Sequence, residues 1–251
     1  MSSWSTGDLL SGKYRLERKL GAGGAAEAWE AVNVLLERTV AVKILHAHLA
    51  KESRTRSRFL AEARASARIA HPNVVDVFDI GVTDDGSPFI VMELCNGETL
   101  STIIDGRGAV GVSYAADVMA QVLAALDAAH ELGIVHRDLK PENLMLLHPR
   151  PDQTLVKVLD FGLAQGIFGE TGAPSDEGGF IFGTPEYMPP EQARGEPVDA
   201  RADLYSAGAI LYEILTGTPP FQGNTPSETL ARMLGGSAEP PSRRVAGIPP
   251  E

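Results

Sequence analysis

An acid, a cation and an amide fall together in one short polar stretch, His136-Arg137-Asp138-Leu139-Lys140-Pro141-Glu142-Asn143. A carboxylate can take a proton, a lysine can steady an anion and an amide oxygen can bind a hard cation, so the composition suits a catalytic loop. A solvated connection of this composition is about as common, and the stretch alone decides nothing. Its weight depends on partners elsewhere in the chain. Asp160, in Asp160-Phe161-Gly162, supplies another carboxylate, and Lys43 another cation. The glycines of Gly21-Ala22-Gly23-Gly24 let backbone N–H groups approach a phosphate closely, although a flexible hairpin turn is the commoner meaning of such a run.

The elements around these residues decide whether they can meet. Tyr14 to Leu20 and Ala28 to Val32 read as two strands of a hairpin about the glycines. A dinucleotide fingerprint or a P-loop needs a helix to start there, so both are disfavoured. Arg38 to Leu45 reads as a strand with Val40, Val42 and Ile44 on one face and Ala41, Lys43 and Leu45 on the other. A lysine on so apolar a face either snorkels to solvent or meets an anion. The helix pattern from Ser53 to Ala70 puts Phe59, Glu62 or Ala63, Ser66, and Ile69 or Ala70 inward, and Arg56, Arg64 and Arg68 outward. An inward Glu62 is costly without a cation, and Lys43 is the candidate.

Further along, Val74 to Ile80 and Phe89 to Leu94 read as strands separated by the turn Asp84-Asp85-Gly86, and Cys95-Asn96-Gly97-Glu98 as a hinge. Ala115 to Leu132, with Val118, Met119, Val122, Leu123 and Leu126, reads as a helix stopped at Gly133, and Leu144 to Leu147 and Leu155 to Val158 as short strands. The expected organisation is a loose lead-in over 1–12, a small sheet-rich lobe over 13–94, and a hinge with a helical lobe over 95–251. Asp138 and Asn143 then flank one loop while Asp160 ends an adjacent strand. Such oxygen ligands suit Mg2+ carried by a nucleotide phosphate better than a closed protein cage. With Lys43 for the phosphates and Asp138 as base, phosphoryl transfer is the reaction class that uses every group.

Composition sets the outer bounds. The 251 residues, 43% hydrophobic, are enough for two lobes with cores, and the charge of -11 argues against nucleic acid as the main partner. No apolar run approaches the roughly 18–20 residues of a membrane span, and the first residues lack signal-peptide features, so a cytoplasmic protein is the expectation. The single cysteine, Cys95, offers neither an internal disulfide nor a zinc cluster.

The ordered set of motifs resembles the protein kinase superfamily, most closely the bacterial serine/threonine kinases similar to those of eukaryotes. It comprises Gly21 to Gly24, Val40-Ala41-Val42-Lys43, Glu62, His136-Arg137-Asp138 with Asn143, Asp160-Phe161-Gly162, Pro189-Pro190-Glu191 and Asp203. The resemblance implies an α+β, two-lobed fold with a small antiparallel-sheet N-lobe, a mostly helical C-lobe and an active site between them. It implies ATP and Mg2+ as cofactors and a protein bearing Ser or Thr as substrate. Asp138 would accept the substrate hydroxyl's proton, Lys140 would steady the transferred phosphoryl, and Asn143 and Asp160 would hold Mg2+. Lys43, paired with Glu62, would grip the phosphates under Gly21, Gly23 and Gly24. Leu20, Ala28, Ala41 and Met145 would line the nucleotide pocket, with main-chain groups of Glu93 and Cys95 on the adenine and Met92 behind it. Lys140 and Gly183-Thr184 resemble serine/threonine rather than tyrosine kinases. Asp203 resembles a buried anchor for the catalytic loop, although a helix N-terminal acid is favoured by the macrodipole in any case.

Three departures stand out. Ala26 occupies the place of the third glycine and Ala28 that of the usual valine; a positive φ at Ala26 would cost on the order of 1 kcal/mol, about fivefold in affinity. Arg137 normally accompanies control by a phosphorylated activation segment, Leu163 to Pro189; here Asp176 or Glu177 is expected to satisfy it in part, with Thr171 and Ser175 as remaining phosphorylation sites. Finally, Pro240-Pro241 and Ile248-Pro249-Pro250-Glu251 stand where relatives continue into two further helices, which carry the arginine that pairs with the counterpart of Glu191. A marginally stable C-lobe, or one completed by a partner chain or dimer, is the expectation. The rival to an active kinase is a nucleotide-binding regulatory or scaffold module with weak or absent catalysis.

Overall fold

The structure, a computed structural model, describes residues 4–150, 153–161 and 184–249. The chain divides into two compact units, Met1–Ala70 with Val75–Asn96, and His71–Val74 with Gly97–Glu251.

The first unit is built on strand alternation. Its strands are β1 (Leu9–Leu10), β2 (Tyr14–Ala22), β3 (Ala26–Asn33), β4 (Arg38–Leu45), β5 (Val77–Val82) and β6 (Pro88–Met92), antiparallel in the order β1-β2-β3-β4-β6-β5. Val40, Val42 and Ile44 of β4 are buried on one face with Leu16, Trp29, Ala31, Phe89 and Val91, as the period of two requires. On the other face Ala26, Leu45 and Ile90 pack under Phe59 and Ala63 of the helix that follows. A short helix, α1 (Ala47–Ala50), precedes that helix, α2 (Ser53–Ser66). Regular α2 geometry stops before the expected Ala70, but Ile69 is still buried because a turn bonds its N–H to the Ser66 carbonyl at 3.0 Å.

Residues 4–12, expected as a loose lead-in, are tied to this sheet. Gly7 N donates to Leu16 O at 2.7 Å, Leu16 N to Asp8 O at 2.9 Å, and Trp4 packs on the buried face. A strand of two residues pairs through its backbone and has no side-chain period to read. At the far edge Asp79 of β5 accepts from Lys13 Nζ at 2.8 Å and from Tyr14 Oη at 2.7 Å. These bonds hold the Asp79 carboxyl below its usual range.

The second unit places a small antiparallel sheet among helices. It runs β7 (Gly97–Thr99), α3 (Leu100–Arg107), α4 (Val112–Glu131), a 3-10 turn at Pro141–Asn143, β8 (Leu144–Arg150), β9 (Gln153–Val158), α5 (Pro190–Ala193), α6 (Arg201–Thr216), α7 (Pro226–Gly235) and α8 (Pro241–Arg244), with sheet order β7-β8-β9. Thr99 Oγ1 caps α3 by accepting from Thr102 N. Helix α4 buries Val118, Met119, Val122 and Leu126 against α6 and β9, while Leu123, expected in the stripe, is exposed. By length and composition α4 could cross a membrane, yet the stripe it buries is the core of this unit. Gly133 (φ +71°) lets the chain leave α4 toward the polar loop. The unexpected α8 starts on Pro241 and holds its place through Arg244, bonded to Glu239 and Thr218, each at 3.0 Å.

Candidate active site

Within the first unit, the register of β3, β4 and β6 places small residues beside Lys43. Ala28 lies opposite Lys43, and Ala41 opposite Met92. All four share the face that α2 covers at its Ala26–Leu45 end, and all four are half-buried. The expected ion pair is present: Lys43 Nζ lies 3.1 Å from Glu62 Oε1, with the Glu62 side chain 3% and the Lys43 side chain 19% exposed. The inward stripe of α2 and the outward face of β4 therefore meet as their two periods predict. Glu93 N donates to Asp76 O at 2.8 Å, so an adenine bond from Glu93 falls to its carbonyl. Cys95 is half-buried, and Leu20 is 40% exposed beside Gly21, which pairs with Ala28.

The glycine turn differs from expectation at Ala26. Its φ is not positive; it opens β3 in extended geometry opposite Leu45, and its Cβ is buried in the cluster with Phe59 and Ala63. The backbone penalty foreseen for an alanine there does not arise. A Cβ on Gly21 or Gly24 would meet no atom within 4 Å, so one side of the turn is open.

Within the second unit, the polar loop is fixed by a residue distant in sequence. Asp203, in the first turn of α6, is fully buried and accepts from His136 N and Arg137 N at 2.8 Å each, while His130 Nε2 lies 2.7 Å from its Oδ2. Both readings of Asp203 from sequence were open; the paired bonds make it the anchor of the loop. They also explain how Arg137 keeps φ at 67°, a conformation that costs a residue with a Cβ roughly 1–2 kcal/mol. Beyond the clamp, buried His136 bonds Leu159 O through Nε2 at 2.9 Å and packs its ring 4.8 Å from that of Phe161. Leu159 N in turn donates to Asn143 O at 2.9 Å. Both ends of the loop are thus stitched to the stretch that presents Asp160, itself at φ 59°, which a short polar side chain tolerates best.

The chemical groups follow from that frame. Asp138 Oδ2 accepts from Lys140 Nζ at 2.8 Å, and Asn143 Nδ2 donates to Asp138 O at 2.8 Å. With its nitrogen so engaged, Asn143 presents Oδ1 as its remaining ligand atom. Met145 lies on β8 between Thr99 and Lys157, half-buried. Among the described residues no group of three or more His, Cys, Asp or Glu forms a metal cage. The donor set, one amide oxygen and one carboxylate, fits a hard ion that takes its other oxygens from phosphates and water.

Gly162, the activation segment to Gly183, and with it Thr171, Ser175, Asp176 and Glu177, lie outside the described residues. The Arg137 guanidinium is half-buried, its Nε makes no hydrogen bond among the described residues, and burial pushes its pKa down. Two partnerships escaped the sequence. Tyr187 Oη donates to Glu213 Oε2, and burial pushes the Glu213 carboxyl up. His130 joins Asp203 across 73 positions of sequence. A polar residue on the apolar stripe of α6 or at the end of α4 is the only local sign of either.

A model of the protein kinase domain matches residues 14–240. Similar curated proteins include a probable serine/threonine-protein kinase PknB of Bifidobacterium longum, 43% identical over 249 residues, covering 96% of this chain and 35% of that protein. Serine/threonine-protein kinase pkn3 of Myxococcus xanthus is 40% identical over 239 residues, 95% of this chain and 44% of its own length. PknB of Mycolicibacterium smegmatis is 41% identical over 250 residues, 98% and 39%. The chain spans about two fifths of the length of these relatives.

Proposed function

The chain belongs to the protein kinase family, and from that premise we propose that it transfers the γ-phosphoryl group of ATP to a serine or threonine hydroxyl of a protein. The observation that carries this reading is the loop locked by Asp203, which holds Asp138 and Lys140 in contact at 2.8 Å. Lys140 occupies Oδ2 of Asp138 and leaves Oδ1 to orient the acceptor hydroxyl and take its proton. As the hydroxyl oxygen bonds to the γ-phosphorus, the bond to the β,γ-bridging oxygen breaks and ADP leaves with that electron pair. Lys140 Nζ, next to the base, offsets charge on the moving phosphoryl. Lys43, aimed by Glu62, takes the other phosphates, and the small side chains of Ala28 and Ala41 leave a flat platform for the adenine. Asn143 Oδ1 and the Asp160 carboxylate are the atoms that would hold Mg2+, which when bound neutralises charge on the phosphate oxygens.

Labelled ATP and a generic acceptor test the proposal. Wild type is expected to label serine or threonine, and Asp138→Asn to lose about 10²- to 10⁴-fold of the rate, the usual worth of a general base. Equal transfer by both proteins would refute the role of Asp138, and no transfer by wild type would favour a binding module.

A further inference from the structure

The turn between β2 and β3 has the carbonyls of Gly23, Ala25 and Ala26 tied down and N–H groups left over. Gly23 N donates to Ala26 O at 2.8 Å, and His46 N donates to Ala25 O at 2.9 Å. The ring of His46, just beyond β4, reaches the same turn: Nε2 lies 3.0 Å from Gly23 O. Because that acceptor is a carbonyl, the ring must donate, which the Nε2–H tautomer and the imidazolium both do. His46 therefore holds two carbonyls of the turn, one through its backbone and one through its ring. His48 stacks on the ring at 5.7 Å and 15°, limiting its rotation.

A planar trans peptide carries its C=O and N–H in opposite directions. Fixing Gly23 O toward His46 thus points Gly24 N–H away from His46, and an added Cβ at Gly24 would meet nothing within 4 Å. Among the described residues, the N–H groups of Gly24 and Ala25 enter no hydrogen bond with the protein. Buried Ala26, packed with Phe59 and Ala63, fixes the root of the turn on α2, the helix that carries Glu62. A turn with two consecutive unspent N–H groups and a pinned peptide plane is arranged for an anion.

We propose that His46 is a positioning residue for nucleotide phosphates: its ring orients the Gly23–Gly24 peptide so that Gly24 N–H donates to a phosphate oxygen. It does the orienting that a flexible glycine turn otherwise leaves to the ligand, and so removes an ordering cost from binding. The proposal rests on the nucleotide-binding part of the proposed function but not on phosphoryl transfer.

Equilibrium binding of ATP with Mg2+ and of adenosine to the full chain tests it. His46→Phe keeps a ring to stack but has no donor, whereas His46→Gln restores an N–H at nearly the same reach. His46→Phe is expected to weaken ATP about three- to tenfold, the worth of one such hydrogen bond, and to leave adenosine unchanged. His46→Gln should return ATP affinity to within about twofold of wild type. Equal losses for ATP and adenosine, an unchanged ATP affinity in His46→Phe, or no rescue by His46→Gln would each overturn the role. If wild type binds ATP with this pattern yet transfers no phosphate, the inference stands and the catalytic reading fails.

Discussion

Asp203 shows how one buried carboxylate can govern a site that it does not enter. Its two oxygens accept from His136 N, Arg137 N and the His130 ring, and no water reaches it. Asp203→Asn keeps the volume but replaces one acceptor with a donor, so that at least one backbone N–H faces an N–H. A lost hydrogen bond to a charged group costs about 1.5–3 kcal/mol, and urea unfolding of the variant should show a loss of that size. Transfer should fall together with it, because Asp138 is next to the freed Arg137. Glu213 makes the opposite case, since its carboxyl is raised by burial and its ionised form is favoured less in the folded than in the unfolded chain. The folded state then binds the extra proton, and stability falls as pH rises from the ordinary carboxylate range through the raised value. Glu213→Gln can still accept from Tyr187 and cannot ionise. It should be more stable than wild type at neutral pH and should lose that advantage below the ordinary carboxylate range, as read from urea midpoints across pH. Sequence named Asp138, Asn143 and Asp160 because their types and spacing are chemical. It left Asp203 undecided and passed over Glu213, because only the folded α6 shows whether an acid on its first turn or apolar stripe has a partner.

At the scale of elements, what is legible is what repeats. The alternation of β4 and the three-and-four step of α2 each predicted a face, and the faces meet in the Lys43–Glu62 pair at 3.1 Å. What does not repeat was lost: β1 has two residues, α8 has four, and neither length carries a period. The turn between β2 and β3 was judged by a missing glycine, yet backbone geometry decides what glycine is for. Ala26 is extended and buried, so the turn gains from its methyl group. Restoring glycine by Ala26→Gly should therefore destabilise the chain by about 1–2 kcal/mol, from added chain entropy and a lost buried methyl. It should not tighten ATP. Thermal or urea unfolding checks the first half of that statement and nucleotide titration the second; a more stable variant with higher affinity would mean that the turn needs the freedom after all.

At the scale of the whole molecule, the proposed ligand is a multiply charged anion, whereas the chain carries a net charge of -11. Its overall field opposes the encounter, so the attraction must come from groups at short range, where screening by salt matters least. In the first unit those groups are Lys43, held in place by Glu62, and the unspent N–H groups of the turn. Both tryptophans of the chain, Trp4 and Trp29, belong to this unit, and both pack in the cluster under β4. Intrinsic fluorescence therefore follows the unit that carries Lys43, while ellipticity at helix wavelengths is weighted toward α3, α4, α6 and α7 of the other. A ligand at about a hundred times its dissociation constant stabilises the state that binds it by about 2.7 kcal/mol. With a urea dependence of roughly 1–3 kcal/mol per molar, ATP with Mg2+ should move the fluorescence midpoint upward by about 1–3 M. Lys43→Met should cancel most of that shift and also lower the midpoint without nucleotide, since buried Glu62 then loses its cation. A fluorescence midpoint that ignores ATP in the wild type would mean that the Lys43 face is not a nucleotide site, however well its residues are arranged.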